Sequence, residues 1–183
     1  MTIEDRIARL EAESQIRQLA ARYCFYLDRR EVDLIGSLFT ADATVRSADG
    51  AMNATGTKAL IDLYLRRFEV LGPGQHVTHD HQVDFVGDGR EQATGRVSGH
   101  AEVARNGRVM IAATQCEDVY RNTPDGWKIA DRLIRFLYYV PAEAYATVFL
   151  SRNRNHAYGE PTEVDFPESL PSWIAYEESR RQG

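Results

Sequence analysis

The spacing of apolar residues changes from helical to alternating near His76, and that change restricts the chain to folds with helices first and strands last. Ile7, Leu10, Ile16, Leu19, Ala20, Tyr23 and Leu27 recur at helical intervals and predict a long helix over 3–29. Thr2 with Asp5 forms a weak capping box at its start, since Asp is a poorer partner there than Glu. Asp33 to Phe39 reads as a second, short helix. Thr44-Val45-Arg46 reads as a short strand ended by Ser47-Ala48-Asp49-Gly50. Thr57 to Phe68, with Leu60, Ile61, Leu63 and Tyr64, reads as a third helix stopped by Leu71-Gly72-Pro73-Gly74.

From His76 onward the signals are those of strands and turns. Val83 and Phe85 alternate with polar neighbours, and Gly87-Asp88-Gly89 turns the chain. Strands are predicted over 93–104, 108–121 and 127–140, joined by the hairpin dipeptide Asn106-Gly107 and by Asn122-Thr123-Pro124-Asp125-Gly126. The expected fold is α+β over 1–140: three N-terminal helices packed on a curved, mostly antiparallel sheet, a cone-shaped barrel with an apolar pocket at its mouth. Pro141, Pro161, Pro167 and Pro171 interrupt the remainder. Residues 141–183 therefore read as a tail of little regular structure, packed on the pocket or on a neighbouring subunit.

A chain of 183 residues is long enough for one domain with its own core. With 22 Lys and Arg against 27 Asp and Glu, the net charge of −5 argues against a nucleic-acid partner, which needs a basic stripe. No apolar run approaches the ~20 residues that cross a bilayer. The opening Thr2-Ile3-Glu4-Asp5-Arg6 lacks the apolar stretch of a signal peptide, so a cytoplasmic protein with no membrane partner is expected. Cys24 and Cys116 lie in apolar contexts without metal or redox spacing and predict two buried free thiols. No phosphate-binding loop, dinucleotide fingerprint, nucleophile elbow or zincin motif is present, so no cofactor is expected.

Two residues carry the sharpest chemical signal. Asp28 closes the first helix and His76 opens the strands; together they can supply an imidazole oriented by a carboxylate, a simple proton-transfer device. Tyr23 lies about one turn before Asp28 and can share its face. His76, His79, Asp80 and His81 superficially suggest a metal cluster. His79 and His81 would share a strand face, but His76 would point away unless a bulge intervenes, and no third ligand is evident, so no metal is expected. His100 reads as a pocket-lining or a structural strand histidine. Arg132 and Arg135 sit on an otherwise apolar strand, as surface ion pairs or, for Arg135, as a cation in the pocket. Val109, Ile111 and Ala113 alternate on one face of a strand and predict an exposed apolar patch covered in a homodimer or homotrimer.

Several local motifs belong together: Glu4 to Glu11, Ile16 to Tyr23, Leu27 to Asp33, Leu38 to Ala43, then His76 ahead of Val83-Asp84-Phe85-Val86-Gly87-Asp88, and Asp125-Gly126-Trp127-Lys128-Ile129. In this order they resemble the SnoaL-like family of the nuclear transport factor 2-like superfamily over about residues 3 to 140. The resemblance implies a catalytic dyad of Asp28 and His76. It assigns Tyr23, five positions before the Asp, the place of a catalytic tyrosine, and Arg135, after a one-residue gap, that of a catalytic arginine on the last strand. Leu27 stands where some members carry a tyrosine directly before the Asp. Tyr26, His100, Phe136 and Tyr138 make up the expected substrate-binding set. The implied activity is a cofactor-independent, dehydratase-type lyase acting on a hydrophobic cyclic or polycyclic small molecule. The same dyad also serves a double-bond isomerase or a polyketide-cyclase-like enzyme. The same cone serves a non-catalytic small-molecule binder or the small subunit of a ring-hydroxylating dioxygenase.

Overall fold

Both halves of the capping box form. The Thr2 hydroxyl accepts the Asp5 N–H at 3.1 Å and the Asp5 carboxylate accepts the Thr2 N–H at 2.9 Å in the computed structural model, which describes residues 2–182. From this cap α1 runs Ile3–Arg29 and buries Ala12, Ile16, Leu19, Ala20 and Leu27. There follow α2 (Val32–Ser37), β1 (Phe39–Ser47), β2 (Asn53–Thr55), α3 (Thr57–Val70), β3 (Leu71–Phe85), β4 (Gln92–Arg105), β5 (Arg108–Thr123) and β6 (Gly126–Pro141). The sheet order is β2-β1-β6-β5-β4-β3, antiparallel throughout except for the parallel pair of β1 with β6. It curves over α1 without closing, which gives the α+β cone. Tyr64, Tyr120, Ile16, Ile35, Leu60 and Ile129 are completely buried in its core.

Some boundaries differ from the sequence pattern. Phe39 begins β1 and does not end a helix, and β2 carried no recognisable signal. Leu71-Gly72-Pro73-Gly74 is the start of β3 rather than a stop. Gly74 is there because the strands approach closely: a Cβ on it would lie 2.6 Å from Val103 Cγ1. Pro73 is tolerated because β3 is an edge strand, where one N–H needs no ladder partner.

Three of the five register shifts in the sheet bear on which side chains face inward. On β3 the pairing moves from Thr78↔Gly99 to His81↔Val97, so three residues of β3 span two of β4. On β6 it moves from Phe136↔Thr114 to Tyr138↔Ala113, leaving Leu137 extra, and again between Ile129 and Asp131 opposite Tyr120 and Val119.

The C-terminal segment is more ordered than its prolines suggested. A 3-10 turn (Ala142–Ala144), α4 (Tyr145–Val148) and α5 (Pro171–Gln182) follow β6. Pro171 occupies the first position of α5, where the missing N–H costs nothing, so it starts a helix instead of breaking one. No residue of α5 is buried, which removed any apolar rhythm from its sequence. Beyond Ile134, where β1 ends its pairing, Asn155 bridges Tyr139 in parallel and the tail continues along the freed edge of β6. Ala157 and Val164 join the main core.

The tail also covers part of the outer sheet face. Ala113 is buried in a cluster with Tyr138, Val140, Ile111, Leu137 and Val148, and Tyr145 and Phe149 pack on Tyr138. Thus the patch expected to need a partner subunit is largely covered by the chain's own α4, and Val109 alone stays open at 60%. Arg154 fastens the arrangement. Its Nε donates to the carbonyl of the extra residue Leu137 at 2.6 Å, and Nη2 pairs with both Glu168 oxygens at 2.8 Å. Replacing Arg154 with Met is expected to cost about 2 kcal/mol of stability, because it leaves Leu137 O and Glu168 unmatched. A urea melt, with faster proteolysis after residue 141, checks this.

Candidate active site

Helix α1 ends where Arg30 adopts φ 59 and ψ 32, the left-handed cap conformation. The Arg30 guanidinium then donates to the carbonyls of Phe68 at 3.0 Å and Gly72 at 3.2 Å, and to that of Leu71. This clamp joins the end of α1 to the start of β3 and brings Asp28 against the outer edge of that strand. The Asp28 carboxylate accepts the His76 backbone N–H at 3.0 and 3.2 Å, and His76 Nδ1 lies 2.6 Å from Asp28 Oδ1. An ionised carboxylate can only accept, so Nδ1 carries the proton and Nε2 is left as the basic nitrogen. Nε2 has no hydrogen-bond partner among the described residues.

His76 lines a cavity of about 90 Å³ between α1, α3 and the inner sheet face. Its wall is mostly apolar: Leu27, Leu71, Val97, Val103, Ile134 and Phe136 contribute. Tyr23, Cys24, Arg67, Thr78, Thr114, Cys116, Arg132 and Tyr139 add polar atoms, and no carboxylate lines it. Burial pushes the Cys24 thiol up to about 11 and the Cys116 thiol up to about 12, so both remain protonated and non-nucleophilic.

The sheet supplies the most heavily buried charge. Arg132 is completely enclosed and pairs with Asp118 through two bonds, Nε–Oδ1 at 2.8 Å and Nη2–Oδ2 at 2.6 Å. Its guanidinium lies 4.5 Å from the Tyr23 ring centroid. Desolvation opposes the charge, but the Asp118 carboxylate more than offsets it and holds the Arg132 pKa above its usual range. Nη1 has no partner among the described residues and belongs to a cavity-lining side chain.

Behind this pair a chain of bonds runs outward. The Tyr120 hydroxyl donates to Asp118 at 2.8 Å; its single proton is then committed, so His81 Nε2 donates to Tyr120 at 3.0 Å. His81 reaches this inner position through the β3 register shift. The Tyr23 hydroxyl bonds that of Tyr64 at 2.8 Å, and burial raises the pKa of both.

Several expected site residues lie elsewhere. Arg135 points to the opposite face of the sheet, where it binds Glu117 at 2.8 Å and Asp165 at 2.5 Å; the sheet cation of the cavity is Arg132. Tyr138 is turned outward by the extra residue at Leu137, and Tyr139 takes the inner place. His100 is among the residues that line the cavity, while its ring bonds His79 at 2.7 Å and stands beside outward-facing Tyr138. Tyr26 packs against the core without lining the cavity. Phe136 and Tyr23 do line it. Of the three nearby histidines, His76 goes to Asp28, His79 to His100 and His81 to Tyr120, three different partners. Arg67, Arg132 and Tyr139 were not among the candidates. Inward alternation with Ile134 would have indicated Arg132, but nothing in the pattern marks Arg67.

Burial pushes the His81 pKa down from 6.5 to about 4. The folded state therefore prefers neutral His81, and the unfolded chain takes up the proton first as pH falls. The stability tied to this group is fully present above pH 6.5 and is lost as pH drops toward about 4. Urea midpoints across this window should fall more steeply for the parent protein than for His81→Gln.

Comparison with known proteins follows this geometry. By structure, the chain is similar to a hexachlorocyclohexane dehydrochlorinase (LinA) type 2, with a TM-score of 0.68 at 16% identity over 74% of this chain and 92% of the other. A protein provisionally assigned as a scytalone dehydratase from Novosphingobium aromaticivorans gives 0.66 at 20% identity, over 76% and 91%. One from the same organism, assigned in the same provisional way as an aromatic ring hydroxylase, gives 0.64 at 20% identity, over 80% and 99%. At these identities the likeness shows the fold. No curated protein matches the chain by sequence. A family model, the SnoaL-like domain, matches residues 8–133, a span that runs from within α1 to the middle of β6. The chain is a member of the SnoaL-like domain family, on the nuclear transport factor 2-like fold.

Proposed function

We propose that the protein is a cofactor-independent lyase that eliminates water from a compact cyclic substrate. The observation that carries this reading is the 2.6 Å bond between His76 Nδ1 and Asp28, which in the neutral ring places the proton on Nδ1 and the basic nitrogen, Nε2, beside an apolar cavity. His76 Nε2 takes a proton from a substrate carbon, and the electron pair of that C–H bond becomes the new double bond. The hydroxyl on the adjacent carbon departs, takes the proton back from Nε2 and leaves as water. Asp28 holds the tautomer and stabilises the transient imidazolium. Arg132 Nη1 steadies the charge that develops on oxygen. A positioned imidazole of this kind supplies ~10²–10⁴-fold of rate.

The size of the site narrows the substrate class. A cavity of about 90 Å³ is smaller than the ~150 Å³ engineered cavity that holds benzene. A single small ring suits it better than a polycyclic skeleton. The mostly apolar wall also favours a second reading, a binding protein without chemistry.

Loss of water, followed by mass spectrometry over a panel of small alicyclic alcohols and hydroxy acids, is the test. His76→Ala is expected to lower turnover by about 10²-fold or more, and Asp28→Asn by a similar amount, with both variants still folded. Full turnover by folded His76→Ala would reject the mechanism. A panel that is bound but never dehydrated would leave the carrier reading, and a product of unchanged mass would identify an isomerase using the same base.

A further inference from the structure

Among the described residues Arg67 is a cation without a counterion. It projects from α3 into the cavity wall, and its one hydrogen bond among the described residues runs from Nη1 to Met52 Sδ at 2.9 Å. A thioether is a weak acceptor. No carboxylate of the described residues lies within 4.0 Å of it, and the titratable groups facing it are four tyrosines, Tyr23, Tyr64, Tyr139 and Tyr158. Holding a guanidinium in such a place is costly unless something pairs with it.

A second, independent orphan sits beside it. Tyr139 is 4% exposed and lines the same cavity; its hydroxyl makes no well-formed hydrogen bond among the described residues, with the Arg105 guanidinium near it as the available donor. Behind Tyr139 stands Arg105, whose guanidinium is 5.9 Å from the Tyr139 ring centroid and 5.1 Å from that of Tyr158. Arg105 also lacks a carboxylate among the described residues, and its Nε is buried without a partner. In a chain of net charge −5, Arg67 in the cavity wall and Arg105 behind Tyr139, neither paired with an acid among the described residues, make a local positive field that composition does not explain.

We infer that the cavity takes a substrate bearing a carboxylate, whose oxygens are held by the Arg67 guanidinium and the Tyr139 hydroxyl. One ligand group then answers both orphans. The guanidinium gains the planar, charged acceptor that suits it, and the phenol donates to the same anion. The carbon skeleton lies along Leu27, Leu71 and Val103, which line the space that Arg67 shares with His76. This assignment rests on the lyase reading only for the word substrate. The anion site itself stands on Arg67, Tyr139 and Arg105, none of which belongs to the dyad.

Calorimetric titration with matched acids and amides separates the two ideas: benzoate against benzamide, and butyrate against butyramide. For the parent protein at least one acid is expected to bind about tenfold or more tightly than its amide, the margin of a hydrogen bond to a charged group. Arg67→Met should bring acid and amide to about the same affinity by removing that interaction. Tyr139→Phe should weaken the acid severalfold with little change in the unfolding midpoint, since its hydroxyl makes no well-formed hydrogen bond among the described residues. His76→Ala should keep the acid preference, so loss of dehydratase activity and loss of the anion site are read separately. Amides that bind the parent as tightly as acids, or an acid preference that survives in Arg67→Met, would overturn the assignment. Should Arg67→Met fail to fold, the acid-to-amide ratio of the parent and of Tyr139→Phe decides it alone.

Discussion

The buried pair of Arg132 and Asp118 is the constraint around which the inner face of the sheet is arranged. Both side chains are essentially without solvent, at 2% and 0% exposure. Leaving either one alone would strand a charge in an apolar interior at a cost of several kcal/mol. Two parallel bonds fix the guanidinium plane, the Tyr120 hydroxyl takes up the remaining capacity of Asp118, and His81 holds Tyr120. The backbone makes room for this stack at Gly95, where a Cβ would lie 2.6 Å from Gln82 O and 2.9 Å from a Tyr120 ring carbon. Hence β4 must be bare at that point for the tyrosine to reach the carboxylate.

Seen from the cavity, charge is distributed unevenly. The Arg132–Asp118 pair is neutral as a unit, so it orients hydrogen bonds without making a net field. The His76–Asp28 pair stands beside the end of α1, its carboxylate bonded to the β3 backbone and lining the smaller pocket that adjoins the cavity at Arg67 and His76. What remains unbalanced is Arg67, with Arg105 behind Tyr139. Low polarity and one uncompensated cation are complementary features: the apolar wall strengthens the attraction that the cation exerts on an anionic group.

Much of this was legible, for identifiable reasons. The helix over 3–29, the strand pairs around Asn106-Gly107 and the break near Gly126 follow from periodicity and turn chemistry, which act locally. Asp28 and His76 stood out because one is a carboxylate at a helix end, the other an imidazole where the helical period gives way to alternation, and the family resemblance pairs them; His76 in fact lies within β3, which begins at Leu71. The errors cluster where alternation is reset. An extra residue on β6 exchanges Tyr138 for Tyr139, and one on β3 brings His81 inward. A strict period of two cannot foresee a bulge, since one slip inverts every side chain beyond it. Arg135 was favoured over Arg132 by the family resemblance, after a one-residue gap on the last strand. The true discriminator is a partner on a neighbouring strand, Asp118, which no local pattern connects to it. The C-terminal helix was missed because a proline that begins a helix reads the same as one that ends it.

Strand β3 is the last in the sheet order and presents its outer edge to α1. That edge is occupied by side chains of the helix rather than by another strand. Arg17 donates to His81 O, Asp28 receives the His76 N–H, and Arg30 donates to Leu71 O and Gly72 O. An uncovered fifteen-residue edge would be a template for pairing with other copies of the chain. The carboxylate that orients the imidazole thus also shields the sheet against intermolecular strand addition. Under the proposed reaction one carboxylate would therefore serve both the chemistry and the solubility of the chain, and Asp28 would keep the second role even without the first.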